Sequence, residues 1–77
     1  MTNTVKIQVC SDTDFEQLIA EIYIDDKFVA LVSQDEGVDN LRVEFPGSDQ
    51  NESTITRKVD FEVLCHALSN ARRELVG

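Results

Sequence analysis

Alternation of apolar and polar residues predicts short β-strands in the first two thirds of the chain. Four segments show this pattern or are rich in β-branched and aromatic residues: 5–10, 18–24, 27–34 and 41–45. Asp25-Asp26 separates the middle two, so we expect a hairpin that turns through two residues. Pro46-Gly47 ends the last strand, because proline cannot continue a sheet ladder.

A two-residue turn fixes which hairpin residues share a face. It pairs Tyr23 with Phe28, and a regular register then pairs Ile22 with Val29. One predicted face is apolar and suits a core: Ala20, Ile22, Ile24, Val29 and Leu31. The opposite face then carries Ile19, Glu21, Tyr23, Phe28, Ala30 and Val32.

The C-terminal third predicts one amphipathic helix. Asp60 is a good N-cap, and Gly77 follows the last turn. The predicted apolar stripe repeats at helical spacing through Phe61, Leu64, Cys65, Leu68, Ala71 and Leu75. Residues 1–77 should therefore form a single α+β domain, a small antiparallel β-sheet of about four strands with one C-terminal helix packed on one face. The other face is left for water or a partner.

Charge is distributed unevenly along the chain. The 77 residues include fifteen acidic and seven basic side chains, a formal net charge of −8. Residues 1–56 hold twelve of the acids but three of the bases. A field of this sign repels nucleic acid and anionic membranes and speeds the encounter with a basic protein. We expect no direct nucleic-acid or membrane partner.

Compartment signals favour the cytoplasm. The start of the chain lacks the basic and apolar regions of a signal peptide, and no apolar run approaches the roughly 20 residues that span a bilayer. Cys10 and Cys65 have no metal-binding spacing and are expected to be reduced, buried thiols.

Candidate catalytic groups are few. The single histidine, His66, lies outside the helical stripe, and its neighbour Cys65 points in a different direction on a helix, so the two do not form a nucleophile and base. The acidic loops lack the spacing of calcium ligands, and no phosphate-binding glycine loop is present. The sequence predicts no catalytic residues, no metal site, no cofactor and no enzyme.

The surface is therefore the candidate site. Tyr23 and Phe28 would form a cross-strand aromatic pair on the face away from the helix, surrounded by acids. The predicted partner-binding residues are Glu21, Tyr23, Asp25, Asp26, Phe28, Asp35, Glu36 and Asp39. An aromatic anchor inside an acidic rim suits fast capture of a basic protein. The alternative is that this face is a second side of the core, covered by the Phe15 segment or by a dimer mate.

Three stretches resemble a known type of protein: AEIYIDDKFVALVSQDEG, NLRVEFPG and ITRKVDFEVL. Together they look like small bacterial immunity proteins of contact-dependent inhibition and related polymorphic toxin systems, over most of residues 18–68. The resemblance implies a cognate partner, typically a toxin nuclease domain with a basic cleft. It transfers no binding residue, because such proteins diverge at their contact surfaces. Hairpins of this type usually turn through Asp-Gly, whereas this chain has Asp25-Asp26.

The leading hypothesis is an immunity or antitoxin-like protein that neutralises a basic toxin domain through its acidic surface. The alternatives are a phage-type nucleic-acid mimic that inhibits a defence complex, a homodimeric structural module, and a small housekeeping or metal-dependent enzyme subunit. Acids clustered in loops count against the mimic, which needs carboxylates spaced like phosphates.

Overall fold

A computed structural model describes residues 3–47 and 53–77. The described chain forms an antiparallel sheet and one helix. The elements are β1 (Val5–Cys10), β2 (Ile19–Ile24), β3 (Lys27–Ser33), β4 (Arg42–Glu44) and α1 (Phe61–Val76). The strands lie in the order β1-β2-β3-β4, so each pairs with its neighbour in sequence. The predicted α+β class and its one-helix architecture are confirmed.

The hairpin between β2 and β3 turns through Asp25-Asp26, as predicted. Both residues are left-handed, with φ of 53° and 67°, as a type I′ turn requires. Asp25 also fastens the turn to the start of β1. Its Oδ1 accepts the amide of Thr4 at 2.9 Å, and its own amide donates to the Thr4 carbonyl at 2.8 Å.

A β-bulge shifts the register of this hairpin. Tyr23 pairs with Phe28 as predicted, but Ile22 pairs with Ala30, so Val29 is an extra residue in β3. The predicted pairing of Ile22 with Val29 is therefore wrong. After the bulge, each β3 side chain lies on the face of the sheet opposite to the one predicted for it.

The bulge exchanges residues between the two faces of β3. Ala30 and Val32, predicted to face outward, belong to the buried core, while Val29 stays there beside them. Leu31, predicted to lie in the core, pairs with Glu21 and lies on the opposite face. Because Phe28–Val32 are all apolar, the sequence offers no alternation that could have revealed the extra residue.

The helix packs across the sheet through small residues. Ala67 and Ala71 are fully buried against the β2 and β3 core. The partly buried side chains around this core are Val5, Ile7, Leu41, Val59, Val63, Leu64, Leu68 and Leu75. Phe61 is 73% exposed and Cys65 is exposed, so their place in the predicted stripe was wrong. Alanine lets the helix approach the sheet closely, which favours the face that carries 67 and 71.

Both ends of α1 are capped as predicted. The Asp60 carboxylate accepts the amide of Val63 at 3.1 Å, which satisfies one of the free donors of the first turn. At the other end Gly77 has φ of 97°, and its amide donates to the Arg73 carbonyl at 2.9 Å.

The segment that leads to α1 completes the edge of β3. Phe28 donates its amide to the Thr54 carbonyl and accepts the amide of Thr56, both at 3.0 Å. This parallel bridge places Ile55 beside Phe28, where it is 4% exposed. The Arg57 guanidinium donates to the carbonyls of Pro46 and Gly47 at 3.2 and 2.9 Å, so it holds the chain that follows β4 close to this segment.

Candidate functional site: a groove on the helix-free face

The face of the sheet opposite α1 carries the candidate site. Glu21 and Tyr23 alternate with the core residues of β2, so both side chains lie on this face, as predicted. Ile19 lies on the same face but is fully buried without belonging to the core cluster. The chain therefore covers the Ile19 end of this face and leaves the Tyr23 end accessible.

A groove of about 450 Å³ opens at the accessible end. It runs between β2, β3, the end of β4 and the segment after residue 52. Its lining residues are Glu21, Tyr23, Phe28, Leu31, Glu44, Phe45, Pro46, Gly47, Thr54 and Ile55. Three of the eight predicted contact residues, Glu21, Tyr23 and Phe28, meet in this one place.

An aromatic pair forms one wall of the groove. The Tyr23 and Phe28 rings meet edge to face, with centroids 5.7 Å apart and planes inclined by 68°. The Tyr23 hydroxyl donates to Oε1 of Glu21 at 3.2 Å. Burial raises the pKa of Tyr23, and the nearby Glu21 charge and this hydrogen bond raise it further. The hydrogen bond orients the Glu21 carboxylate and engages one of its oxygens.

Two glutamates stand on either side of a leucine across three strands. Glu21 of β2 pairs with Leu31 of β3, and Leu31 pairs with Glu44 of β4. Two strand spacings separate the glutamate backbones by about 10 Å. The carboxylates therefore flank an apolar floor, and this row exists because the bulge turned Leu31 outward.

Phe45 extends the apolar surface beyond the sheet. Its side chain is 66% exposed and lines the groove. It also lines a second cavity of about 290 Å³ between the sheet and the start of α1, together with Val29 and Leu64. A large aromatic side chain this exposed is a candidate contact residue.

The other predicted contact residues lie at two ends of the sheet. Asp25 and Asp26 are at the β2–β3 turn, whereas Asp35, Glu36 and Asp39 are in the loop between β3 and β4. The length of β3 separates these two groups by roughly 20 Å. The eight residues therefore do not form one rim around the aromatic pair.

Some of these acids have partners within the chain. Asp35 accepts the backbone amides of Glu16 and Gln17 at 3.0 and 2.9 Å, which ties the β1–β2 loop to the β3–β4 loop. Glu36 forms an exposed ion pair with Arg42 at 3.1 Å.

The sequence analysis missed Leu31, Glu44 and Phe45 as site residues. Glu44 and Phe45 were assigned to a strand and its end, and alternation in 41–45 gave Glu44 a face opposite Val43. The sequence therefore predicted the face of Glu44, but it did not predict that Glu44 and Glu21 flank Leu31, because that depends on the register of β3.

Nucleophiles and metal ligands are dispersed. Within residues 3–47 and 53–77, no three His, Cys, Asp or Glu side chains are grouped as metal ligands would be. Both cysteines are free, but neither is buried as predicted: Cys10 is half-buried and Cys65 is exposed. Burial raises the pKa of the Cys10 thiol, and Glu21 and Asp12 raise it further, which disfavours a reactive thiolate. His66 is exposed.

The described part of the chain contains no helix with the length and apolar character needed to cross a membrane. Comparison of the sequence and structure with models of protein families, with curated proteins and with solved structures finds no match.

Proposed function

We propose that this protein binds and neutralises a basic partner domain in the cytoplasm, as an immunity protein does with a toxin. The observation that carries the proposal is the groove on the helix-free face, which Tyr23, Phe28 and Phe45 line together with Glu21 and Glu44. Aromatic side chains at the centre of an interface supply most of the binding energy when water is excluded around them.

The net charge supports the same kind of partner. At −8, the chain attracts a basic surface over a distance of about one Debye length and speeds association at low salt. A nuclease domain carries such a surface where it binds phosphates. Carboxylates seated on that surface would block it by occupancy and by charge, without any catalytic step.

The geometry favours this function over the two other binding hypotheses. A nucleic-acid mimic needs a continuous row of carboxylates, but the acidic turns lie at two ends of the sheet. A homodimer through the groove would bring Glu21 and Glu44 of each copy towards those of the other. Opposed like charges cost free energy when water is removed.

The test is capture from a lysate of the source cells, with the tag at Gly77, which ends the helix on the opposite side of the sheet. Washes at about 0.05 M and about 0.5 M salt separate electrostatic from apolar retention. We expect one basic protein at stoichiometric yield, followed by loss of the captured protein's enzymatic activity when the two are mixed.

Two charge reversals make the test specific. Glu44→Lys places a cation in the groove, and we expect it to weaken binding of the captured protein by roughly tenfold or more. Glu74→Lys makes the same change in net charge on the helix, where a cation near the C-terminus is favourable. Equal binding by the two variants would exclude the groove, and sedimentation as a tight dimer would favour the homodimer.

A further inference from the structure

The groove combines three features that match one kind of side chain. Its floor is apolar, its wall is aromatic, and carboxylates flank it at both sides. A purely apolar partner residue would bury Glu21 and Glu44 without a counter-charge, which is unfavourable. A partner residue that is cationic at its tip and apolar along its stem meets all three features.

We propose that the groove binds an arginine side chain of the partner, with the guanidinium held between Glu21 and Glu44 and the stem packed on Leu31 and the aromatic rings. This inference rests on the proposed function and specifies the residue by which the partner is recognised. It assigns Glu44 and Phe45 to recognition and makes Leu31 the floor of the site.

The spacing of the carboxylates favours arginine over lysine. The glutamate backbones are about 10 Å apart on either side of Leu31, and both residues line the groove. A guanidinium is planar and presents donors on more than one edge, so it can meet one carboxylate on each side. An ammonium is a compact, strongly hydrated point charge that fits this divided arrangement less well.

The aromatic residues favour the same choice. A guanidinium stacks on aromatic faces, and Phe45 offers an exposed ring at the rim of the groove. The Tyr23 hydroxyl holds Oε1 of Glu21, so the carboxylate is oriented before any ligand arrives. An oriented partner loses less side-chain entropy on binding.

Two cations of the described chain lie on this face of the sheet: Lys6, which pairs with Tyr23 across β1 and β2, and Arg42, two positions before Glu44 on β4, which is held by Glu36 at 3.1 Å. Lys6 approaches Tyr23 from the β1 side, whereas Glu44 lies on the far side of Leu31. Neither Lys6 nor Arg42 lines the groove, so the described part of the chain places no cation of its own between the two glutamates.

The experiment is an amide NMR titration of the whole chain with three blocked tripeptides, Gly-Arg-Gly, Gly-Lys-Gly and Gly-citrulline-Gly. Citrulline has nearly the shape of arginine but no charge. We expect the amides of Glu21, Leu31 and Glu44 to shift with the arginine peptide, with at least about threefold weaker binding of lysine and about tenfold weaker binding of citrulline.

Substitutions locate the site. Glu21→Gln and Glu44→Gln each remove one carboxylate and should weaken arginine binding by about fivefold, while Glu74→Gln on the helix should leave it within about twofold. Amide spectra of the free variants establish that each one is folded. Equal affinity for arginine and citrulline, or shifts confined to another surface, would overturn the proposal.

The titration tests the arginine assignment and the capture experiment tests the proposed function, so their results can be told apart. If a basic partner is captured and Glu44→Lys releases it, but the tripeptides do not distinguish arginine from lysine, the proposed function stands and the arginine assignment is wrong. If no partner is captured and the arginine peptide does not bind the groove, both are wrong.

Discussion

Replacing Asp35 tests whether this acidic residue stabilises the fold rather than serving only as a surface charge. The sequence placed Asp35 in a partner-binding surface, but its carboxylate accepts two backbone amides, those of Glu16 and Gln17. Replacing it by alanine leaves both amides without their acceptor. Hydrogen bonds to a charged group contribute about 1.5–3 kcal/mol each when shielded. Asp35 is exposed and water can replace it, so we expect a loss of about 1–2 kcal/mol for the pair, similar to loss of a helix N-cap.

The assay is urea unfolding followed by circular dichroism. With a slope of about 1 kcal/mol per molar urea for a chain of this size, Asp35→Ala should lower the midpoint by about 1–2 M. Asp39→Ala is the matched control, because it removes the same charge from the same loop and Asp39 makes no hydrogen bond in the described part of the chain. We expect it to change stability by less than about 0.5 kcal/mol.

Hydrogen exchange gives a local readout of the same contact. The amides of Glu16 and Gln17 should exchange faster in Asp35→Ala than in the wild-type protein, because their acceptor is gone. If the two alanine variants unfold at the same urea concentration and these amides exchange at unchanged rates, the assigned role of Asp35 is refuted.

Three further predictions concern the hairpin, the core and the groove. Asp26→Gly should stabilise the protein by about 0.5 kcal/mol, because glycine adopts a positive φ without strain. Asp25→Gly should destabilise it by about 1 kcal/mol, because it also removes the acceptor of the Thr4 amide. Urea unfolding should show changes in stability of opposite sign for the two variants, and changes of the same sign would contradict these roles. Ile22→Ala should cost about 3 kcal/mol, since this side chain is fully buried, and a loss below about 1 kcal/mol would contradict its place in the core. Because burial and Glu21 raise the pKa of Tyr23 above its ordinary value of 10.0, the folded protein retains this proton longer than the unfolded chain does. Its contribution to stability should be complete below about pH 10 and fall as the pH rises through the folded pKa, so melting temperatures should fall less steeply in Tyr23→Phe than in the wild type; identical slopes would contradict this.

The sequence predicted the elements that depend on local signals. The two-residue turn at Asp25-Asp26 and the N-cap at Asp60 each rely on a few neighbouring residues, and both lie where they were expected. Strand segments were recognised because alternation and turn residues act over a short range. These features required no knowledge of which distant residues pack together.

The features that failed depend on packing between distant segments. Phe28–Val32 is an apolar run in which every register gives a plausible core face, and only packing against the helix decides between them. Packing between the helix and the sheet also decides which helix face is buried, and it buries the small Ala67 while leaving the larger Phe61 exposed. A hydrophobicity pattern does not predict this choice, because it ranks phenylalanine above alanine. The hydrogen bonds of Asp35 span 18 and 19 positions in sequence, so no local motif predicts them.

The aspartates that bind backbone amides and the glutamates that line the groove have different roles in the structure. Among the described residues, four aspartates accept backbone amides at turns, loops and the helix cap: Asp12, Asp25, Asp35 and Asp60. Their short side chains reach nearby backbone, so their charges still contribute to the long-range field while their oxygens are engaged in folding. Glu21 and Glu44 lie instead on strands with their carboxylates at the groove. Reversing an amide-bound aspartate would therefore change stability and attraction together, whereas changing Glu44 tests recognition at the groove with less disturbance to the fold. For this reason the acids with the clearest role in folding are the least informative ones for mapping a partner.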